Sequence, residues 1–320
     1  MTNVTLAAYS NLAVYSSIVV LTLAMIAFAM DLAGAVPRTA ARPEGARLLV
    51  GAGAPAASGN VPAPAAGAPA VHRRKAAGVA MALTWLGGLL VLGGVTLRGL
   101  SVMRVPWGNM YEFATTGSGF VIAAYVVLSL RRDMRRLGLF IVGPAVLTLG
   151  LAVTVYYTQA AQLLPSLHSF WLVIHVSVAI LSAAPFTIAF SVTILFLLKA
   201  RREASPPARP NFMESLPDAA SLDRTAYGLH VVAFPLWTFT LIAGAIWAEQ
   251  AWGAYWQWDP KEVWTFVIWV VYAAYLHARA TSGWSTSKAA YLALAGYGCI
   301  LINYMIVNVY FVGMHSYSGM

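Results

Sequence analysis

Cysteine is nearly absent from this chain of 320 residues: Cys299 stands alone. A single thiol closes no internal disulfide and makes no exchange pair, so thiol redox chemistry linked to the protein must come from another molecule. Charge is scarce as well. Asp, Glu, Lys and Arg make up 10% of residues against 60% hydrophobic, with a mean hydropathy of +0.71, which lies outside the range of soluble globular domains. Two-residue alternation of apolar and polar positions is missing, and this excludes an outer-membrane barrel. Carboxylates number only 11, and no His-x-x-x-His or cysteine pair occurs, so a chelating site for a divalent ion is a poor match.

Long apolar runs, by contrast, recur throughout. A hydrocarbon core of about 30 Å takes about 20 helical residues. Runs of that kind lie near Tyr9 to Met30, Ala76 to Leu97, Tyr111 to Leu130, Leu139 to Tyr157, Phe170 to Leu198, Thr225 to Trp247, Val263 to Thr281 and Ala289 to Val312. They predict an all-α fold, a polytopic integral membrane helical bundle of about eight transmembrane helices embedded in a lipid bilayer. The first run lacks a basic leader and a small-residue cleavage site, so it reads as a retained helix.

The formal net charge is +9, and the position of the basic residues gives its meaning. Seventeen of the twenty Lys and Arg fall on one side of the spans, in the segment from Pro37 to Lys75, the RRDMRR loop, the loop from Lys199 to Arg224, and at Arg279 and Lys288. Arg98, Arg104 and Lys261 fall on the other. The positive-inside rule then predicts both termini outside a cell membrane. The basicity is topological and calls for no nucleic-acid partner. Residues 37–75, rich in Ala, Gly and Pro, read as a disordered cytoplasmic linker. It separates an N-terminal helix (residues 1–36), expected to be loosely tethered, from a membrane domain (residues 76–320).

The densest chemistry lies at Trp252 to Trp264, WGAYWQWDPKEVW, where four tryptophans and a tyrosine occupy thirteen positions. An interfacial aromatic belt needs one or two per helix end, so a surface for a flat hydrophobic ligand is the competing reading. Asp259, Pro260 and Glu262 have the spacing of a capping box with Pro at the first helical position, and would start the seventh helix rigidly. Asn109 and Glu112 repeat the device before the third helix.

Six histidines are present. His72 lies in the linker. His168 and His175, seven residues apart, are expected on one face at the outer end of the fifth helix. His315 follows the last helix on the same side, while His230 and His277 lie in the inner halves of the sixth and seventh. Each alone reads first as a hydrogen-bonded helix residue. Together, His175 and His315 at the level of the tryptophan run supply the axial imidazoles, and the indoles the stacking surface, that haem takes.

WGAYWQWDPKEVW resembles the tryptophan-rich WWD signature of haem-handling membrane proteins that assemble c-type cytochromes. PWGNMYEF, SFWLVIHV, GAIWAEQAWGAYWQWDPKE, VYAAYLHAR and GMHSYSG resemble, in order from Pro106 to Ser318, blocks of the CcsA (CcsB, ResC-type) family of the System II pathway. The resemblance implies that His175 and His315 ligate haem iron on the extracytoplasmic face. It implies that His277 belongs to an inner haem site whose other ligand comes from a ResB/Ccs1-type partner, and that Trp252, Trp256, Trp258 and Trp264, with Asp259, form or support the haem (haem b) platform. It further implies covalent attachment of haem to apocytochrome c at Cys-x-x-Cys-His, with thioredoxin-like thiol reductants keeping those cysteines reduced. His168 and His230 match no ligand of the family, and His230 pairing with His277 at similar depth stays open. Two other readings stay open: a haem exporter or chaperone without attachment activity, and a small-molecule transporter whose aromatics are a belt.

Overall fold

The computed structural model describes residues 2–35, 75–163, 167–205 and 211–315. Apart from Lys75, the expected linker with His72 lies outside them. The described residues are helical and contain no strand. Eight helices are long and apolar enough to cross a membrane: α1 (Val4–Gly34), α2 (Lys75–Val102), α3 (Met110–Arg131), α4 (Gly138–Thr154, preceded by a short 3-10 turn), α5 (Phe170–Ala204), α6 (Ala219–Trp252), α7 (Pro260–Ala280) and α8 (Thr286–Leu301). The last continues through a π-helical stretch, Ile302–Val307, to a final turn, Asn308–Tyr310. The protein is a multi-pass membrane protein.

Helix starts are fixed by side chains that satisfy the first free N–H groups: Asn3, Asn109, Ser169, Asp218, Asp259 and Ser285 each accept from a backbone N–H in the first turn. The capping box at Asp259 and Glu262 is present as the sequence predicts. The second one is not. Asn109 accepts from Glu112 N at 2.9 Å, but the Glu112 carboxylate turns away to Gly108 N, Arg98 and Arg104. His168 also differs from expectation, because α5 begins only at Phe170 and leaves it before the helix. It is exposed, with Nε2 3.3 Å from the carbonyl of Leu163.

α5 and α6 run past the apolar stretches into polar sequence and pack along each other. α7 packs on α8, and α3 bridges α2, α4 and α5. α1 is no loose tether. Val14, Leu21, Phe28 and Leu32 enter the main apolar core, while Ser10 and Ser17 donate to the carbonyls of Gly94 and Gly87 in α2 at 2.7 and 2.8 Å. In a bilayer, such close small-residue contacts do the work that the hydrophobic effect does in water.

Two ends of the bundle have different character. At the basic end, Lys199 donates to the carbonyl of Met213 at 2.7 Å, Arg202 pairs with Glu214 at 2.5 Å, and Arg279 pairs with Asp223. At the tryptophan end lie the segments 103–109, 155–163, 253–259 and 311–315. Glu112, fully buried, gathers that end: it accepts from Arg98 Nε at 3.0 Å, Arg104 NH1 at 2.8 Å and Gly108 N at 2.9 Å. The same guanidiniums reach the carbonyls of Thr158 at 2.6 Å and Ala161 at 2.8 Å, tying two connecting segments together.

Candidate functional site

A cavity of about 290 Å³ opens between α3, α5, α6, α7 and α8 at the tryptophan end. Its lining is chiefly apolar and aromatic. Trp107, Phe113, Trp237, Trp247, Tyr255 and Trp256 contribute rings, and the wall descends to Thr187 and Tyr297 near the middle of α5 and α8. Concave, mostly apolar sites with a few placed polar groups are the usual form of small-molecule sites.

His175 and His315 both line this cavity. His175, on α5, directs Nδ1 at the carbonyl of Thr240 on α6 at 2.9 Å, and its ring stacks on Trp247 with centroids 6.0 Å apart. The fit is tight: a Cβ on Gly244 would meet His175 Cε1 and Nδ1 at 2.8 Å, so the absence of a side chain there makes the ring's seat. His315 follows α8 and directs Nδ1 at Asp259 Oδ2 at 2.7 Å, with Trp247 and Trp252 edge-on to its ring at 5.7 and 4.9 Å. An imidazole whose Nδ1–H donates to a carbonyl or carboxylate is held as the tautomer that offers Nε2 to a metal. Both rings are set in that way.

Asp259 therefore does two jobs. It caps α7 through Lys261 N at 3.0 Å, and it anchors the segment after α8 through Met314 N at 2.6 Å and His315. The chain passes so close that a Cβ on Gly313 would lie 2.2 Å from Asp259 Oδ1. Burial pushes the Asp259 carboxyl up, but the hydrogen bond and charge of His315, with the N–H groups of Lys261 and Met314, outweigh it and hold the group below the usual carboxylate range.

The tryptophan run divides. Trp256 lines the cavity, and Trp252 stands behind it against Trp247 and His315, while Trp264 is outside the lining. Trp258 is 77% exposed, with φ of 59° in the left-handed region, in a turn where Gln257 N donates to Glu262 Oε2 at 2.9 Å. A bulky residue held there marks a constrained segment. Trp107, Trp237 and Trp247 supply wall from outside the thirteen-residue run, with Trp237 deep within α6 where no local pattern signals it, while Tyr255 joins Trp256 from the run itself.

The other histidines lie elsewhere. His277 is exposed on α7. His230 is buried on α6, with Nδ1 at the carbonyl of Ala226 at 2.7 Å and its ring against Phe186, Tyr272 and Tyr275. Tyr272 and Tyr275 face inward where His277 faces out, so the two histidines are turned to different surroundings and make no pair. Among the described residues, no cluster of three or more His, Cys, Asp or Glu could hold a metal ion by itself. The two set imidazoles and the indole walls have the chemistry that an iron porphyrin taken in as substrate would use.

Residues 107–315 match the model of a family described as cytochrome c assembly protein, a match that begins at the cavity's Trp107 and ends at His315. Cytochrome c biogenesis protein CcsA of Gloeobacter violaceus is 32% identical over 281 residues, covering 72% of this chain and 83% of that protein. CcsA of Guillardia theta is 34% identical over 238 residues, covering 67% and 76%. CcsA of Chlamydomonas reinhardtii is 40% identical over 161 residues, covering 50% and 44%. Among solved structures, cytochrome c heme lyase CcmF aligns with a TM-score of 0.63 at 15% identity, covering 95% of this chain and 47% of that one, a likeness of fold to about half of a larger protein. The chain belongs to the cytochrome c assembly protein family, as a CcsA-type membrane protein of cytochrome c biogenesis.

Proposed function

We propose that the cavity receives haem as substrate, ligated through its iron by His175 and His315, and presents it for attachment to apocytochrome c. The observation that carries this reading is the paired setting of the two imidazoles, each with Nδ1 committed to an acceptor and each lining one cavity walled by indoles. The protein's own residues bind, orient and exclude water. In the attachment step, each thiol of a Cys-x-x-Cys-His segment adds across a haem vinyl group: a C–S bond forms at the inner vinyl carbon and the proton goes to the terminal one. No oxidant is consumed. The segment's histidine then takes the place of one axial imidazole and releases the product.

The strong excess of Lys and Arg at the opposite end supports a cavity on the extracytoplasmic face of the cytoplasmic membrane. His277 supports an inner site completed by another chain, because an exposed imidazole on the bundle's outer surface is open to a ligand from a ResB/Ccs1-type subunit. A thioredoxin-like reductant is needed from outside, since this chain has no thiol pair. A haem carrier that leaves attachment to its partner uses the same cavity, and reconstitution with apocytochrome separates it from the leading reading.

The test is spectroscopic. Purified protein is expected to carry a bis-imidazole Soret spectrum, which His175→Ala and His315→Ala each convert to a single-imidazole form that added imidazole restores. Wild-type spectra retained in both variants overturn the assignment.

A further inference from the structure

One wall of the cavity is polar, and the axial histidines leave it unused. It forms where the first turn of α7 meets the π-helical stretch after α8. In an α-helix, five residues turn about 500° and would point Asn303 and Asn308 about 140° apart. The wider π turn over Ile302–Val307 brings both to the cavity, with Lys261, Glu262 and Thr265 across from them on α7. Lys261 Nζ donates to Asn308 Oδ1, Asn303 Nδ2 to Thr265 Oγ1 at 3.4 Å, and Thr265 Oγ1 to the carbonyl of Lys261 at 2.7 Å.

This wall is unbalanced in two ways. An ammonium carries three donors, yet the side-chain oxygen of Asn308 is the acceptor found for Lys261 Nζ, and among the described residues no carboxylate oxygen lies within 4.0 Å of it. Meanwhile Glu262 Oε1 and Asn303 Oδ1 are buried acceptors without a donor. A cation with no carboxylate in contact, Asp259 acting on it only through space, and two acceptors lacking protons are each costly in a site away from water.

We infer that Lys261, Glu262 and Asn303 seat the carboxyl edge of the cavity's ligand. One ionised carboxylate pairs with the Lys261 ammonium, and a second carboxyl group, protonated, donates to the orphaned acceptors once the Glu262 and Asn303 side chains turn them out to the cavity that both residues line. The inference rests on the haem reading above, for haem carries two propionate groups on one edge of an apolar disc. It also supplies what two axial ligands cannot. His175 and His315 fix the axis through the iron but leave the disc free to rotate about it, whereas a carboxyl seat on one wall sets that rotation and so decides which edge the vinyl groups occupy.

The experiment compares haem with haem dimethyl ester, titrated into the full-length purified protein and read by the Soret band. The wild type is expected to bind the diacid at least about tenfold more tightly than the diester, the factor that one charge-assisted hydrogen bond supplies. Lys261→Met is expected to bring the two within about twofold, and Lys261→Arg to keep most of the preference. Asn308→Asp, which gives Lys261 a carboxylate of its own, is expected to abolish the preference as Lys261→Met does, so the test survives a misfolded variant. Equal binding of diacid and diester by the wild type, or a preference that persists in both Lys261→Met and Asn308→Asp, overturns the seat while the haem reading stands. Failure of the wild type to bind either porphyrin overturns the haem reading, and the seat with it.

Discussion

Asp259→Asn tests ligand orientation with a residue that keeps the shape of the carboxylate and can itself cap a helix. Three N–H groups converge on the carboxylate: Met314 N on Oδ1 at 2.6 Å, and His315 Nδ1 and Lys261 N on Oδ2 at 2.7 and 3.0 Å. Asparagine keeps the shape and remains a strong N-cap, but it offers one oxygen where the site uses two. If the amide oxygen keeps His315 and Lys261, the Met314 N–H faces an NH₂ group. If it keeps Met314, the NH₂ faces both the Lys261 N–H, which loses its cap, and His315, which can accept only by moving its own proton to Nε2, the nitrogen proposed to ligate iron. Either outcome removes a charge-assisted bond, and loss of an outer-shell partner of a ligating histidine costs about 10–100-fold in affinity, or about 1.4–2.8 kcal/mol. Haem titration of purified protein measures this directly, with His315→Ala marking the floor. Affinity within about twofold of wild type, with bis-imidazole spectra unchanged, would refute the orienting role of Asp259.

Gly244→Ala places a methyl 2.8 Å from the His175 ring. The ring must move off the Thr240 carbonyl, and haem affinity is expected to fall about 2–10-fold, the worth of one neutral hydrogen bond, while melting temperature holds or rises because Ala favours helix; an unchanged affinity refutes the tight seat. Glu112→Ala leaves the buried Arg98 and the largely buried Arg104 without their carboxylate, which is expected to destabilise the tryptophan end by about 3–5 kcal/mol. Protease cutting between residues 103 and 109 reports it, and wild-type resistance refutes it. Because the Asp259 carboxyl is held below its ordinary range, the stability it contributes is fully present above the unfolded carboxylate value, about 3.9, and is lost as pH falls through the lower folded value. Anchoring of the segment after α8, followed in the haem-free protein by hydrogen exchange of the Met314 amide on Asp259 Oδ1, should therefore persist through mild acid and fail only in stronger acid, with Asp259→Asn lacking that transition; loss of wild-type protection near pH 6 would contradict it.

The membrane helices were legible because an apolar run of about 20 residues has few other places to go. Their ends were not. Hydropathy marks where hydrocarbon stops, while the helix continues for as long as its backbone and side chains find partners. α5 and α6 pass through Lys199 to Ala204 and Ala219 to Arg224 because Arg202 meets Glu214, Arg279 meets Asp223, and Lys199 meets a carbonyl. The packing of α1 was equally hidden, since a helix apolar on every side carries no periodic signal for the face it will bury.

At the candidate site, sequence distance set the limit. The capping box of Asp259 and Glu262 is a local pattern three residues long and could be read directly. That the same carboxylate reaches His315, 56 residues away, depends on α7 and α8 packing as a hairpin and on a glycine at position 313 that admits the contact. Density of tryptophan located the end of the bundle where the cavity opens but not the wall itself. A short turn cannot direct all its side chains one way, so Trp256 reaches the cavity, Trp252 backs His315, and Trp258 points out. Lys261 shows the same limit from the other side: counted by position it is one of three cations on the sparse side, and only the fold, with the π turn of the last helix across from it, shows that it lines the cavity beside two orphaned acceptors.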